Sequence, residues 1–270
     1  MTLSFDPAVV LALALAIGLF ARAVWVLRGR GWRVGTVQQV AWYGGVALLA
    51  LGMVSPIDAL GHDLLSAHMV QHLLIADLAA PLLLIGLRTP VLVFFLPRPA
   101  LVALARRTGL RRVFRFLRRP LVAVPIWIVT LYGWHVPAMF EGALADDLLH
   151  ALQHQAFIGA SLLVWWSVIE PKHARIRPDL WKGGYVIGAR VAGMFLGMAF
   201  LLMLRTPLYA GGYGDRAAAF GLTPLVDQQI AGALMLAVDL ALMLGTLGFF
   251  FYAADREDDR TARRAATVAG

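Results

Sequence analysis

The residues best suited to chemistry in this sequence are histidines, and two pairs of them share one spacing. His68 and His72 stand in "AHMVQH", and His150 and His154 stand in "LHALQH". In an α-helix, residues four positions apart lie on one face with neighbouring side chains. Two imidazoles at this spacing can bind one metal ion. Each pair is therefore a candidate half of a metal site.

Three further residues extend the candidate site. His62 precedes the first pair, His135 stands in "YGWHVP" before the second pair, and Asp227 opens the last apolar segment. The carboxylate of Asp227 is also a candidate helix N-cap. The seventh histidine, His173, lies beside Lys172 in a charged loop, where we expect it to be solvated. The predicted metal-ligating residues are His62, His68, His72, His135, His150, His154 and Asp227.

The residue types around the histidines restrict the metal. Zinc proteases carry a glutamate within their helical His pair, whereas Gln71 and Gln153 stand here, so we do not expect a hydrolytic zinc site. Imidazole suits copper, zinc, iron and nickel, and thioether selects Cu(I). Met53, Met139 and Met235 are predicted near the outer histidines, although methionine is also a common packing residue. The histidine cluster, the nearby methionines and the absence of cysteine together favour copper.

The composition places these histidines in a membrane protein. Hydrophobic residues make up 60% of the 270 residues and charged residues 15%, against about 25% charged in a soluble domain. Several apolar runs reach ~20 residues, the length that crosses the hydrocarbon core, and they lack the alternation of a transmembrane barrel. We predict an all-α fold, a polytopic membrane protein with a seven-transmembrane helix bundle. The predicted spans lie near 7–27, 36–54, 63–87, 121–136, 145–169, 185–205 and 228–252.

The distribution of basic residues predicts the orientation. The connections rich in Lys and Arg are 28–35, 88–119, 170–184 and the tail 256–270. The connections 55–62, 137–144 and 206–227 contain a single basic residue, Arg216. By the positive-inside rule, the N-terminus is outside and the C-terminus is cytoplasmic. We therefore predict a membrane domain over 1–255 and a charged cytoplasmic tail over 256–270.

The arginine-rich connection 88–119 has two possible partners. Nucleic-acid binding would need interleaved aromatic and polar residues that read bases. A loop that lies on anionic lipid headgroups needs only the charge. We therefore expect the lipid bilayer, and no nucleic acid, as the partner of this loop. The apolar stretch after Pro90 is interrupted by Pro97 and Pro99, and we expect an interfacial or re-entrant segment there.

This topology gathers six of the seven histidines on the outer side. A single intramembrane histidine is more often a hydrogen-bonded packing residue. Four of them on two helices at one depth indicate a metal or cofactor site, because ionisable residues in spans usually mark function. Asp77 and Asp239 are predicted deeper in the membrane and need partners. The candidates are each other, a histidine, or Arg22, Arg190 or Arg205.

Three segments together resemble a known family. They are "SPIDALGHDLLSAHMVQHLLIADLAAPLLLIGLRTP", "YGWHVPAMFEGALADDLLHALQHQAFIGASLLVWWSVIEP" and "TPLVDQQIAGALM". They resemble the multi-spanning CtaG family of cytochrome c oxidase assembly proteins, over about residues 40 to 250. Two positions depart from the family pattern: Gln153 stands where Glu is common, and Leu236 stands where Trp often follows Met.

The resemblance implies a multi-pass protein of the bacterial plasma (inner) membrane that is needed to form an active haem–copper oxidase. The partners it implies are an oxidase subunit during assembly and a periplasmic copper donor. The matching site positions are the seven predicted ligands. Together with the outward histidines, this predicts a non-enzymatic assembly factor that holds Cu(I) and supplies it to the oxidase.

Three other functions stay open at the level of sequence. The histidines of two helices could hold a haem, as in a membrane cytochrome. Asp77, Asp239 and the histidines could form a relay in a copper transporter. The protein could also be a metal-free scaffold that holds oxidase subunits during assembly.

Overall fold

The computed structural model of the protein describes the backbone of residues 6–269, and the side chains of these residues except Leu180 and 258–269. Helices account for 82% of the chain, and no strand occurs within residues 6–269. The all-α prediction is confirmed. The first five residues of the predicted outer N-terminus, and the side chains of the predicted tail beyond Glu257, lie outside the described residues.

The helices follow one another with short connections. The first six are α1 Pro7–Arg28, α2 Thr36–Met53, α3 Pro56–Gly61, α4 Leu65–His72, α5 Ala79–Gly86 and α6 Val91–Phe95. The next five are α7 Arg98–Arg106, α8 Thr108–Leu117, α9 Pro120–Trp134, α10 Pro137–Ala145 and α11 Asp147–Ile169. The last are α12 Leu180–Met198, α13 Ala210–Tyr213 and α14 Pro224–Ala269. Two π-helical segments, Leu73–Leu78 and Ala199–Met203, join α4 to α5 and extend α12, and Arg216–Phe220 is a 3₁₀ helix.

Several of these helices can cross a membrane. Among the described residues, four are long and apolar enough: Pro7–Arg28, Leu65–Gly86, Trp181–Met203 and Pro224–Glu257. Helices α9 and α10, bent by 71° against each other, make a fifth if the pair is one span. Helices α2 and α11 have 18 and 23 residues but carry more polar side chains. The chain is a membrane protein, and the number of seven spans stays a prediction.

The helix Leu65–Gly86, which we call the central helix, lies in the middle of the bundle. Inside the protein, 67% of its apolar window is buried, against 11% for α1. It packs against α2, α11 and α14. Glycines allow α2 to approach closely: a Cβ on Gly86 would lie 2.7 Å from the Cβ of Trp42, and a Cβ on Gly52 would lie 2.5 Å from Cγ2 of Ile75.

The central helix widens into its π-helical segment directly after His72. Within this segment, the carbonyl of Ala76 accepts a hydrogen bond of 2.6 Å from Oγ of Ser161 on α11. Such π-helical turns occur frequently at functional sites. Asp77 lies in the same segment and is buried.

A buried ion triad joins the central helix to α12 and α14. Nη1 of Arg190 donates to Oδ1 of Asp77 and, at 3.1 Å, to Oδ1 of Asp239. The rings of Trp127 and Trp165 lie 5.0 and 6.0 Å from the guanidinium carbon, close enough for cation–π attraction. Of the partners that the sequence left open for the two aspartates, the structure therefore selects Arg190.

Asp239 can reach Arg190 because residue 193, one helical turn further along α12, is a glycine. A Cβ on Gly193 would overlap Oδ2 of Asp239. We expect Gly193→Ala to push this carboxylate away from Arg190. Breaking a buried ion pair costs about 3–5 kcal/mol, so the free energy of unfolding should fall by roughly this amount, measured by thermal or denaturant unfolding in detergent.

Gly188→Ala is the matched control, because it lies on the same helix and a Cβ there meets no atom within 4 Å. This variant should unfold at or slightly above the wild-type temperature, since alanine favours the helix over glycine. Equal stability of the two variants would contradict the account of the triad.

Candidate metal centre

The central helix and α11 bring four imidazole rings together. Within each helix the ring centroids are 4.3 Å apart, for His68 and His72 and for His150 and His154. Across the helices, the centroids of His68 and His150 are 5.2 Å apart, and those of His72 and His154 are 5.4 Å apart. The two sequence pairs therefore form one closed group, which we call the histidine quartet.

Three histidines of the quartet have ring nitrogens at a spacing close to that of a metal site. His68, His72 and His150 each offer a ring nitrogen within 4.8 Å of the other two. Imidazole nitrogens bound to one tetrahedral ion at about 2.0–2.1 Å are roughly 3.4 Å apart. A movement of the rings by roughly 1 Å would thus bring the three nitrogens to ligand distance of one ion.

Most nitrogens of the quartet have no partner among the described residues. Both ring nitrogens of His68 and His72, and Nε2 of His150 and His154, are buried without a hydrogen bond. None of the four residues is more than 8% exposed. A buried polar atom left unsatisfied costs about 1–3 kcal/mol, and native proteins contain few of them. Six such atoms in one group make the quartet the candidate site for a metal ion.

His62 extends the quartet toward the surface. It follows α3, is half-buried, and its ring centroid is 5.6 Å from that of His150. Nη1 of Arg216 donates to its backbone carbonyl at 2.6 Å. Nearby, Oδ1 of Asp58 accepts a hydrogen bond of 2.6 Å from Nε2 of Gln71, between the two histidines of the central helix. The partly exposed ring of His62 is therefore in contact with a buried member of the quartet.

His135 approaches the quartet from the end of α9. Its Nδ1 donates to the carbonyl of Leu131 at 2.7 Å, and its Nε2 is buried without a partner among the described residues. The carbonyl fixes the proton on Nδ1 and leaves the lone pair on Nε2, as it does for many metal-binding histidines. The rings of Phe140 and Phe157 lie 6.2 and 6.1 Å from its ring.

The three methionines predicted near the site differ in their surroundings. Met235 is buried in the main hydrophobic cluster, and Met53 packs against that cluster. Met139 is 42% exposed. We therefore interpret all three as packing or surface residues, the usual roles of methionine.

Asp227 holds the start of the helix that carries the first histidine pair. Its Oδ2 accepts from the backbone N–H of Leu65 at 2.7 Å, and its Oδ1 accepts from the N–H of Ser66 at 3.1 Å and from the Ser66 hydroxyl. The prediction that Asp227 is the N-cap of its own helix is therefore wrong, because its carboxylate caps α4 instead. At α14 the side chain of Thr223 accepts from the N–H of Val226.

Both carboxylate oxygens of Asp227 are thus used at the N-terminus of α4, and the side chain is buried. This position also suits the positive end of the helix dipole. His68 follows Ser66 by two residues, so the carboxylate fixes the helix start from which the first histidine pair projects. Its predicted part as a metal ligand stays a prediction, and its contacts give it a positioning role.

Aromatic side chains that no sequence motif predicted cover the quartet. The ring of Phe140 lies 4.9 Å from that of His68 and stacks on Tyr209 at 4.0 Å. The hydroxyl of Tyr209 donates to the carbonyl of His135, and that of Tyr213 donates to the carbonyl of Gly61. Burial raises the pKa of both phenols, so the hydroxyls stay protonated. The one available signal was the pair Tyr209 and Tyr213, four positions apart in the connection 206–227.

The match to a known protein family covers all of the site residues described above. A family model described as cytochrome c oxidase caa3 assembly factor (Caa3_CtaG) matches residues 18–256. The chain belongs to this family. The resemblance drawn from the sequence is thereby confirmed, and the match includes every member of the histidine quartet of this Caa3_CtaG protein. No curated protein and no solved structure matches the chain.

Asp227→Ala tests the positioning role. The variant leaves two backbone N–H groups of α4 without their acceptor in a buried place. We expect the free energy of unfolding to fall by about 1–3 kcal/mol for each group left unsatisfied, measured by unfolding in detergent.

Asp146→Ala is the comparison, since Asp146 caps α11 from an exposed position with one hydrogen bond of 2.7 Å to the N–H of Leu149. An exposed cap is worth about 1 kcal/mol. If Asp227→Ala destabilises the protein no more than Asp146→Ala does, the carboxylate does not hold α4.

Proposed function

We propose that this protein is a cytochrome c oxidase assembly factor that holds Cu(I) in the histidine quartet and supplies it to the oxidase. Membership of the Caa3_CtaG family indicates oxidase assembly and an encounter with the oxidase during it. The observation that carries the copper assignment is the group of buried imidazole nitrogens without partners. Copper binds imidazole well, and Cu(I) tolerates low coordination numbers and neutral ligands.

The proposed topology has seven spans in the bacterial plasma membrane, with the N-terminus outside and the C-terminus cytoplasmic. Each of the seven predicted spans overlaps one helix, in chain order α1, α2, the central helix, α9, α11, α12 and α14. The alternation of basic and non-basic connections supports this orientation. The quartet would then lie on the periplasmic side, from which a copper donor can approach.

The geometry supports a route for the ion. His62 is half-buried and contacts His150, which in turn contacts both His68 and His154. An ion taken from a periplasmic donor would pass from His62 to the quartet by exchanging one imidazole for the next. No thiolate is present in the chain, so the ion stays exchangeable. The protein would carry the ion without catalytic turnover.

Copper also fits the quartet better than haem. The rings that face each other across the two helices are in contact, with centroids 5.2 and 5.4 Å apart. A haem with one axial imidazole from each helix needs the macrocycle between the two rings. The observed contacts leave no room for it without separation of the central helix from α11.

Copper binding to the purified protein tests the proposal. We expect about one Cu(I) per chain after anaerobic loading, with at least roughly a 100-fold loss of affinity in His72→Ala/His154→Ala, because even residues that only support metal ligands contribute 10–100-fold. His173→Ala, in an exposed loop, is the matched control and should bind like wild type. Wild-type affinity in the double variant would refute the site.

Two further measurements separate the remaining functions. A Soret band that shifts on reduction of the purified protein would show a haem protein. Copper uptake into sealed vesicles would show a transporter, whereas binding without uptake supports the assembly factor.

Oxidase formation in cells provides the functional test. With the four quartet histidines replaced by alanine, we expect an oxidase that lacks copper and activity although its subunits are present. An active oxidase formed with this variant would leave only a metal-free scaffold.

A further inference from the structure

An apolar groove lies at the end of the bundle opposite the histidine quartet. It has a volume of about 380 Å³. The central helix contributes Pro81 and Ile85, α11 contributes Trp165, and α14 contributes Leu242 and Phe249. In the central helix and α11 these residues lie in the C-terminal half, away from the histidines, and in α14 they follow Asp227 by 15 positions or more. The groove is therefore separate from the candidate metal centre.

A basic pocket continues this groove at the end of the bundle away from the quartet. It has a volume of about 240 Å³ and shares Ile176 and Phe249 with the groove. Three arginines line it: Arg175 and Arg177 from the loop before α12, and Arg256 from α14. Glu257 is the one acidic residue among the described residues that line it, so the formal charge of this described lining is positive.

The loop that presents two of these arginines is held in place by a buried lysine. Nζ of Lys182, which is fully buried, bonds Oε2 of Glu170 at 2.6 Å, Oδ2 of Asp179 at 3.1 Å and the carbonyl of Arg177 at 3.1 Å. At the start of the loop, the hydroxyl of Thr89 donates to the carbonyl of Lys172 at 2.9 Å. These bonds hold the backbone of the loop, so Arg175 and Arg177 stand at fixed positions beside the pocket.

The joined cavities match an amphiphile with an anionic head. The groove offers only apolar surface apart from one threonine, which suits an acyl chain, and the arginines suit a phosphate. Basic pockets between helices on the cytoplasmic side bind anionic lipid headgroups. An apolar partner helix would fit the groove but carries no phosphate for the arginines.

We propose that the groove and the basic pocket together bind one anionic phospholipid, with an acyl chain along α14 and the phosphate among Arg175, Arg177 and Arg256. The lipid fills the space between the central helix, α11 and α14. These are the helices that carry the quartet and Asp227 at their other ends, so the bound lipid supports the packing that the quartet needs.

Native mass spectrometry of the full-length protein in detergent tests the proposal with two synthetic lipids of equal acyl chains. We expect the protein to retain one phosphatidylglycerol at least tenfold more strongly than phosphatidylcholine. Equal retention of the two lipids would overturn the proposal, because it would show ordinary surrounding lipid only.

The second arm of the experiment fills the groove with a large side chain. Gly245 lines the groove, and a Cβ there meets no atom within 4 Å. We expect Gly245→Phe to lower phosphatidylglycerol retention at least tenfold. Gly248→Phe is the matched control: this exposed glycine of α14 also has no atom within 4 Å of a Cβ, and it does not line the groove. Equal retention in the two variants would contradict the site.

The third arm removes the charge. We expect Arg175→Gln/Arg177→Gln/Arg256→Gln to lower phosphatidylglycerol retention by roughly tenfold to a hundredfold, given about 1 kcal/mol for each basic residue at a membrane surface, and to leave phosphatidylcholine unchanged. Arg106→Gln/Arg111→Gln/Arg112→Gln, on the exposed helices α7 and α8, is the control and should retain phosphatidylglycerol like wild type.

Two results would assign the cavities to another ligand. If inorganic phosphate competes for the arginines while Gly245→Phe leaves phosphatidylglycerol retention intact, the pocket is a free phosphate site. If Gly245→Phe leaves lipid retention intact but abolishes co-purification of an oxidase subunit, the groove is a protein interface. Either result would overturn the lipid proposal.

Discussion

A polar group inside a membrane protein has no water to bond with, so it needs a partner within the bundle or a ligand. The central helix buries His68, Gln71, His72 and Asp77 within three turns, and this requirement shapes the structure around it. Asp77 is bonded by Arg190, and Gln71 donates to Asp58. The ring nitrogens of His68 and His72 have no partner among the described residues, and one nitrogen of each lies within 4.8 Å of the other and of a nitrogen of His150. A metal ion satisfies several of them at once, which hydrogen bonds within the protein do not.

The same helices form the candidate metal centre at one end of the bundle and the apolar groove at the other. At one end, the carboxylate of Asp227 on α14 caps α4 and so joins the last long helix to the start of the central one. In the middle, Arg190 ties Asp77 to Asp239. At the other end, the three helices leave an apolar groove beside a basic pocket. The proposed phospholipid would complete the packing there, whereas the proposed copper completes the coordination at the first end.

The sequence predicted those features that depend on residues close together in the chain. The four-residue repeat of His68 and His72, and of His150 and His154, predicted that each pair shares a helical face, and the apolar runs predicted an all-helical membrane protein. The partner of Asp77 stayed open because it depends on the π-helical turns after His72, which shift the face on which residue 77 lies. The cap of α4 by Asp227 was also out of reach, since the partners are 162 positions apart in the chain. The cover by Phe140 and Tyr209 likewise depends on how two connections fold over the helix ends.

The central claim is that imidazoles of the quartet coordinate copper directly. X-ray absorption spectroscopy of the Cu(I)-loaded, full-length protein tests it most directly, because nitrogen and sulfur neighbours scatter differently and imidazole gives a characteristic multiple-scattering pattern. The account predicts a first shell of two to four imidazole nitrogens without sulfur, which loses imidazole scattering in His72→Ala/His154→Ala. A first shell that contains methionine sulfur, or an imidazole signal unchanged in that variant, would contradict it.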